Sequence, residues 1–186
     1  MTAQRRQASV LMSGGIDSTA CAHLLAQQGE DVDGIFIDYG QPAAKVEERA
    51  VTAITTRLGI HLAIWRVSTP EPFTAGELIG RNAFLIFAAL FLTRARPGML
   101  AMGVHSGTRY YDCSEPFVAA LARLVAEHTD GRVSFVAPFA NWSKRDIYEY
   151  FVGAGLPIDL TYSCEVGSEP ACGKCTSCRD RKVLGC

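Results

Sequence analysis

Hydrophobic and polar positions along the chain follow two rhythms. Short apolar runs at Ser9–Met12, Val32–Asp38, His61–Val67, Met99–Val104 and Arg132–Ala137 read as strands. Between them, Asp17–Gln28, Ala43–Leu58, Arg81–Arg94, Glu115–Thr129 and Ser143–Ala154 carry apolar residues at helical spacing. Strand then helix, five times over, predicts an α/β fold: a doubly wound, mainly parallel five-stranded sheet with helices on both faces. Gly34–Ile37 and Leu100–Val104 are too apolar to alternate, as expected of strands buried on both sides. Ligands of such folds gather outside the carboxyl ends of the strands. The loops after Met12, Asp38, Val67, Val104 and Ala137 therefore carry the interest, while Ser68–Gly80, with two prolines and two glycines, reads as a connecting loop.

From Leu156 the rhythm stops. The tail is rich in Cys, Gly and Pro, shows no apolar period and needs a staple to hold a shape. The expected division is residues 1–155 as an α/β domain and 156–186 as a small tail packed on it.

Composition narrows the function classes. With 48% hydrophobic and 20% charged residues the chain is neither disordered nor collagen-like. A net charge of -1, from 18 basic and 19 acidic residues, argues against a broad nucleic-acid surface. The longest apolar run, Ala83–Leu92, is shorter than the ~20 residues of a spanning helix. Arg5-Arg6 precedes only Val10-Leu11-Met12, too little for an export core. These features predict a cytoplasmic protein with no membrane partner. The seven cysteines are an odd number, which suits metal ligation in a reducing compartment better than a disulfide framework.

Chemistry enters at Ser13-Gly14-Gly15-Ile16-Asp17-Ser18, between the first strand and first helix. Free amides at a helix start point at an anion, and the macrodipole favours negative charge. The glycines let the backbone approach phosphate oxygens, and Ser13 and Ser18 add hydroxyls. Asp17 does not suit a bare phosphate, so a Mg²⁺ ion between carboxylate and phosphate is expected. The plainer alternative is a tight turn with Asp17 or Ser18 as a cap. Neither a Walker ending nor a Rossmann glycine pattern is present. The Ser-Gly-Gly-x-Asp-Ser string resembles the pyrophosphate-binding loop of the N-type ATP pyrophosphatases (the PP-loop superfamily), which implies an adenine nucleotide alpha hydrolase-like fold and transfer of AMP from ATP. On that resemblance Leu11, Met12, Ser13, Gly14, Gly15, Ile16, Asp17, Ser18 and Thr19, with Asp38 and Lys144, are the expected ATP-binding residues.

Cys164, Cys172, Cys175 and Cys178 are spaced Cys-x7-Cys-x2-Cys-x2-Cys. Four thiolates suit a tetrahedral structural Zn²⁺ with no open position; an iron–sulfur cluster is the alternative. Lys174, Arg179, Arg181 and Lys182 offset the site's negative charge. Cys21 reads as core.

The loop together with Thr161-Tyr162-Ser163-Cys164 and Cys172-Gly173-Lys174-Cys175-x-x-Cys178 resembles the 7-cyano-7-deazaguanine synthase family. Asp38-Tyr39-Gly40-Gln41, Gly80-Arg81-Asn82-x-Phe84-Leu85 and Ser143-Lys144-Arg145-Asp146-Ile147 extend the resemblance from Val10 to Arg181. It implies an ATP-dependent carbon–nitrogen ligase that adenylates the carboxylate of 7-carboxy-7-deazaguanine. Ammonia then gives the amide, and a second ATP gives the nitrile. A structural zinc and a homodimer are implied as well.

Lys144, Asp17 and Arg81 are the expected catalytic residues; Gln41, Arg81, Asn82, His105 and Asp112 are expected to meet the substrate. Asp112 suits the N1–H and amino group of a guanine-like ring, and His105 suits a general base. As plainer alternatives, Ser143 and Asp146 form a capping box and Arg81 and Asn82 are helix-start polar residues. Ser106-Gly107-Thr108-Arg109-Tyr110-Tyr111-Asp112-Cys113 departs from the family pattern except at Asp-Cys. That departure opens an alternative in which the activated acid joins another amine, such as one on a protein partner. A tRNA-thiolating enzyme and a non-catalytic nucleotide-binding protein are the remaining alternatives.

Overall fold

The computed structural model describes residues 5–67, 70–71, 73–105, 107–108 and 110–186. Ser68 of the connecting loop, and Ser106 and Arg109 of the divergent loop, lie outside the described residues, as do Thr69 and Pro72. Five strands alternate with helices: β1 (Gln7–Leu11), α1 (Ile16–Gln27), β2 (Asp31–Asp38), α2 (Ala44–Leu58), β3 (His61–Arg66), α3 (Arg81–Leu92), β4 (Gly98–Met102), α4 (Glu115–His128), β5 (Val133–Val136), α5 (Lys144–Gly153) and α6 (Thr176–Leu184). Short 3-10 turns lie at Tyr111–Cys113 and Ile158–Leu160.

All strands are parallel, in the order β3-β2-β1-β4-β5. The chain steps outward from β1 to β3, then restarts on the other side at β4. The resulting switch point lies between β1 and β4, where a crevice opens at the carboxyl ends.

Period-two alternation sorts the strand residues onto two cores. Val10 and Phe36 face one side, with Val51 and Ile54 of α2 and Ile147 and Phe151 of α5. Leu11, Ile35 and Ile37 face the other, with Ile86 and Leu90 of α3 and Leu121 and Val125 of α4. Phe36, Phe139 and Phe151 are fully enclosed, each contributing about 1.5–3 kcal/mol by transfer from water. Cys21 belongs to the first core, and burial followed by the charge of Asp17 pushes its thiol up to about 12. It is an inert packing residue.

Most element ends differ from the sequence reading by one or two residues, as in β1, which runs Gln7–Leu11 rather than Ser9–Met12. Helix α3 ends at Leu92 rather than Arg94, because Arg94 and Ala95 turn to φ 55° and 48°. Helix α6 was not expected at all. None of its residues is buried, so it carries no apolar period to read. The tail to which it belongs touches the rest of the chain directly. Tyr162 N donates to Gly14 O at 2.9 Å, and Arg49 pairs with Glu169. Gly167 lies so close to Pro42 that a Cβ there would stand 2.3 Å from its carbonyl oxygen. Within the tail, Arg181 ties α6 down by donating to Thr161 O (3.1 Å) and Thr161 Oγ1 (2.8 Å). Among the described residues no helix is long and apolar enough to cross a membrane.

Candidate active site

A cavity of ≈ 340 Å³ sits at the switch point, lined by the β1–α1 loop, the ends of β2 and β4, and the starts of α3 and α5, with the tail over it. The β1–α1 loop is shaped by close approach. Gly14 adopts φ +76°, and a Cβ there would stand 2.8 Å from Val51 N. Gly103 after β4 passes so near α1 that a Cβ would stand 2.7 Å from Asp17 O. The start of α1 has no side-chain cap. Ser18 Oγ accepts from Ser13 N (3.2 Å) and donates to Gly15 O (3.3 Å), bracing the loop rather than capping the helix. Uncapped amides at the start of a twelve-residue helix leave donors for an anion.

Asp17 is the centre of charge. Its Oδ2 accepts from Lys144 Nζ at 2.5 Å and lies 3.9 Å from His105 Nε2. Its Oδ1 is buried and has no hydrogen-bond partner among the described residues. A buried carboxylate oxygen without a donor fits a cation. Lys144 reaches this point because α5 begins there, fixed by a complete capping box: Asp146 N donates to Ser143 Oγ (3.2 Å) and Ser143 N donates to Asp146 Oδ2 (2.8 Å). The plainer reading of Ser143 and Asp146 thus holds together with the placement of Lys144.

His105 is 7% exposed. Its Nδ1 accepts from Gly107 N at 3.1 Å, so the neutral ring carries its hydrogen on Nε2, toward Asp17. Burial lowers its pKa, with Asp17 opposing and Lys144 reinforcing. In this arrangement Nε2 stands 3.9 Å from Asp17 Oδ2, beyond direct hydrogen-bond reach.

The wall at β2, α2 and α3 brings together Tyr39, Gln41, Glu47, Arg81 and Asn82. Gln41 is committed internally: Oε1 accepts from Tyr39 N (2.9 Å) and Nε2 donates to Glu47 Oε2 (2.9 Å). Asn82 is 2% exposed; its Nδ2 donates to Asp112 O (2.9 Å) and its Oδ1 accepts from Arg81 Nε (3.1 Å). Four expected site residues do not line the cavity. Asp112 Oδ2 accepts from Asn82 N (3.3 Å) at the start of α3. Asp38 Oδ1 accepts from Gly40 N (3.0 Å) within the turn after β2. Thr19 is fully buried and donates to Gly15 O (2.8 Å), and Gly14 turns its carbonyl to the tail.

The sequence reading missed Glu47, Tyr39, Glu165, Ser177 and Asp180, all of which line the cavity. Glu47 had a readable signal, an acid in the first turn of the helix after a site-facing loop. Tyr39 stood inside the Asp38–Gln41 motif, and Glu165, Ser177 and Asp180 had only their nearness to ligand cysteines.

Cys164, Cys172, Cys175 and Cys178 place their sulfurs within 4.8 Å of one another. Ligands of a single tetrahedral ion at Zn–S ≈ 2.3 Å stand about 3.8 Å apart, so the spacing suits one ion. Burial raises the Cys164 thiol, but N–H groups of Cys172 and Val166 outweigh it and bring it down to about 5. Lys174 and Cys175 N–H groups lower Cys172. Cys178, desolvated and beside the other sulfurs, goes up to about 12. Four thiolates without a cation repel one another, and a divalent ion removes that repulsion.

The queuosine biosynthesis protein QueC family model matches residues 7–83 and 78–183. Curated relatives include 7-cyano-7-deazaguanine synthases of Campylobacter concisus, 30% identical, and Synechococcus sp., 32% identical. Each alignment covers 95% of this chain, and 92% and 91% of the respective relative. In fold, the chain is similar to the U34-tRNA thiolase NcsA of Methanococcus maripaludis, solved with its [4Fe-4S] cluster. The TM-score is 0.56 at 13% identity, over 98% of this chain and 71% of that one. The loop, the parallel sheet and the four-cysteine tail thus stand in one chain with this sequence match, and the chain belongs to the queuosine biosynthesis QueC family.

Proposed function

We propose that this chain is an ATP-dependent ligase that adenylates the carboxylate of 7-carboxy-7-deazaguanine for attack by ammonia. The carboxylate oxygen attacks the α-phosphorus of ATP; an O–P bond forms and pyrophosphate leaves. Ammonia then attacks the acyl carbon, AMP departs with the carboxylate oxygen, and the nitrogen loses a proton to give the amide. The amide oxygen then attacks the α-phosphorus of a second ATP with loss of pyrophosphate, and AMP departs with that oxygen while the nitrogen sheds its two protons to leave the nitrile. The observation that carries this reading is the uncapped start of α1 beside Lys144 and the unpartnered Asp17 Oδ1.

Loop amides of Gly15 to Ser18 hold the departing pyrophosphate, and Lys144 neutralises its growing charge. Asp17 would hold Mg²⁺, which supplies charge neutralisation at the phosphates. His105 Nε2–H orients Asp17 or a phosphate oxygen. The four cysteines would hold a structural Zn²⁺ that keeps the tail over the cavity. Exposed Ile79, Phe84 and Phe91, on and beside α3, support a homodimer.

Incubation with ATP, Mg²⁺ and the acid, with and without ammonia, tests the reading by mass spectrometry. The expected result is AMP with amide or nitrile. An adenylate that ignores ammonia would transfer the reading to another amine. Absence of AMP under every condition would contradict it.

A further inference from the structure

The proposed substrate presents a guanine-like edge: a ring carbonyl, a ring N–H and an exocyclic amine in a row. That edge calls for one donor beside an acceptor of two hydrogen bonds. Asp112, the acid the sequence suggested for this, accepts from Asn82 N at the start of α3 and does not line the cavity. The cavity holds four other acids. Asp17 is paired with Lys144. Glu165 Oε1 accepts from Ser177 N (3.0 Å) and Ser177 Oγ (2.9 Å). Asp180 stands on α6 near His105, at the phosphate end.

Glu47 is different. Gln41 fixes it through a single arrangement of the amide: with Oε1 on Tyr39 N, only Nε2 faces Glu47 Oε2. A carboxylate offers about four acceptor positions, so this bond leaves capacity for a ligand. Arg81 stands beside the same carboxylate and beside Tyr39, and lines the same cavity. An acceptor and a planar donor thus face the cavity side by side, on rigid helix starts. We infer that Glu47 and Arg81 read the ring edge of the substrate, Glu47 accepting from the ring N–H and the amine, and Arg81 donating to the ring carbonyl. Burial raises the Glu47 carboxyl, opposed by Gln41 and Arg81, and donors of a ligand edge seated on it would favour its charged form further.

This inference rests on the adenylation reading for the identity of the ligand. Its test compares the acid with its 2-deamino analogue, which lacks the exocyclic amine, in acid-dependent AMP formation. The native protein should prefer the amino form by about 100-fold in kcat/KM, and Glu47→Gln should reduce that preference to a few-fold. Asp112→Asn should lower the thermal midpoint yet retain the preference. Undiminished preference in Glu47→Gln overturns the inference, as does a rise confined to the KM for ATP. Calorimetric binding of the two acids without ATP separates the two claims. Glu47-dependent preference in binding without any AMP formation upholds this inference and defeats adenylation. AMP formation with no such preference does the reverse.

Discussion

The two ends of the cavity are built in opposite ways. At the β1–α1 end, one stretch, Ser13 to Ser18, supplies amides, hydroxyls and the carboxylate, and Lys144, His105 and Asp180 arrive from other elements. At the other end, Gln41, Glu47, Arg81 and Asn82 come from three elements and hold one another through side-chain bonds. The first end is a backbone device, suited to an anion of fixed shape. The second is a side-chain device, in which one substitution changes which ligand fits.

The Cys tail serves both ends, so its loss gives the largest expected effect. Metal chelation or Cys172→Ser should remove one metal ion per chain by elemental analysis and cut AMP formation about 1,000-fold or more. The reason is that Tyr162, Glu165 and Ser177 form cavity wall, and structural zinc supplies folding energy outright. Full turnover by metal-free protein would separate tail from site. Next in size, Lys144→Met should slow AMP formation about 100- to 1,000-fold while leaving the 2-deamino discrimination intact. If discrimination falls too, the two ends are one device.

The smallest effect belongs to the device that places Lys144. Ser143→Ala should cost about 1 kcal/mol in stability by denaturant titration. The side chain and then the backbone of Ser143 hold the Asp146 carboxyl below its ordinary value. A depressed carboxyl contributes stability above its unfolded pKa and loses it as pH falls through the folded one. Native protein should therefore lose more stability than Ser143→Ala below about pH 4. Parallel curves would remove the capping box from the account.

Legibility in the sequence follows the same contrast. The sheet and its five following helices were readable because the central strands β1, β2 and β4 give residues to both cores and α2 to α5 each bury one face. The β1–α1 loop, with its uncapped helix start, was legible because its parts are contiguous. Glu47 and Asp112 were not assigned as found, because which acid faces the cavity depends on how α2 and α3 pack. Gln41 looked free to bind a base, and only the fold shows Tyr39 N and Glu47 using its amide. Helix α6 was hidden because a helix with no buried residue leaves no period.

The central claim is that the substrate's carboxylate is activated as an adenylate in this cavity. Supplying the acid labelled with ¹⁸O in its carboxylate, and weighing the AMP formed, tests it most directly. One ¹⁸O in each AMP is expected, including the second AMP if the nitrile is made. Unlabelled AMP, or label appearing in inorganic phosphate with ADP as co-product, would contradict it.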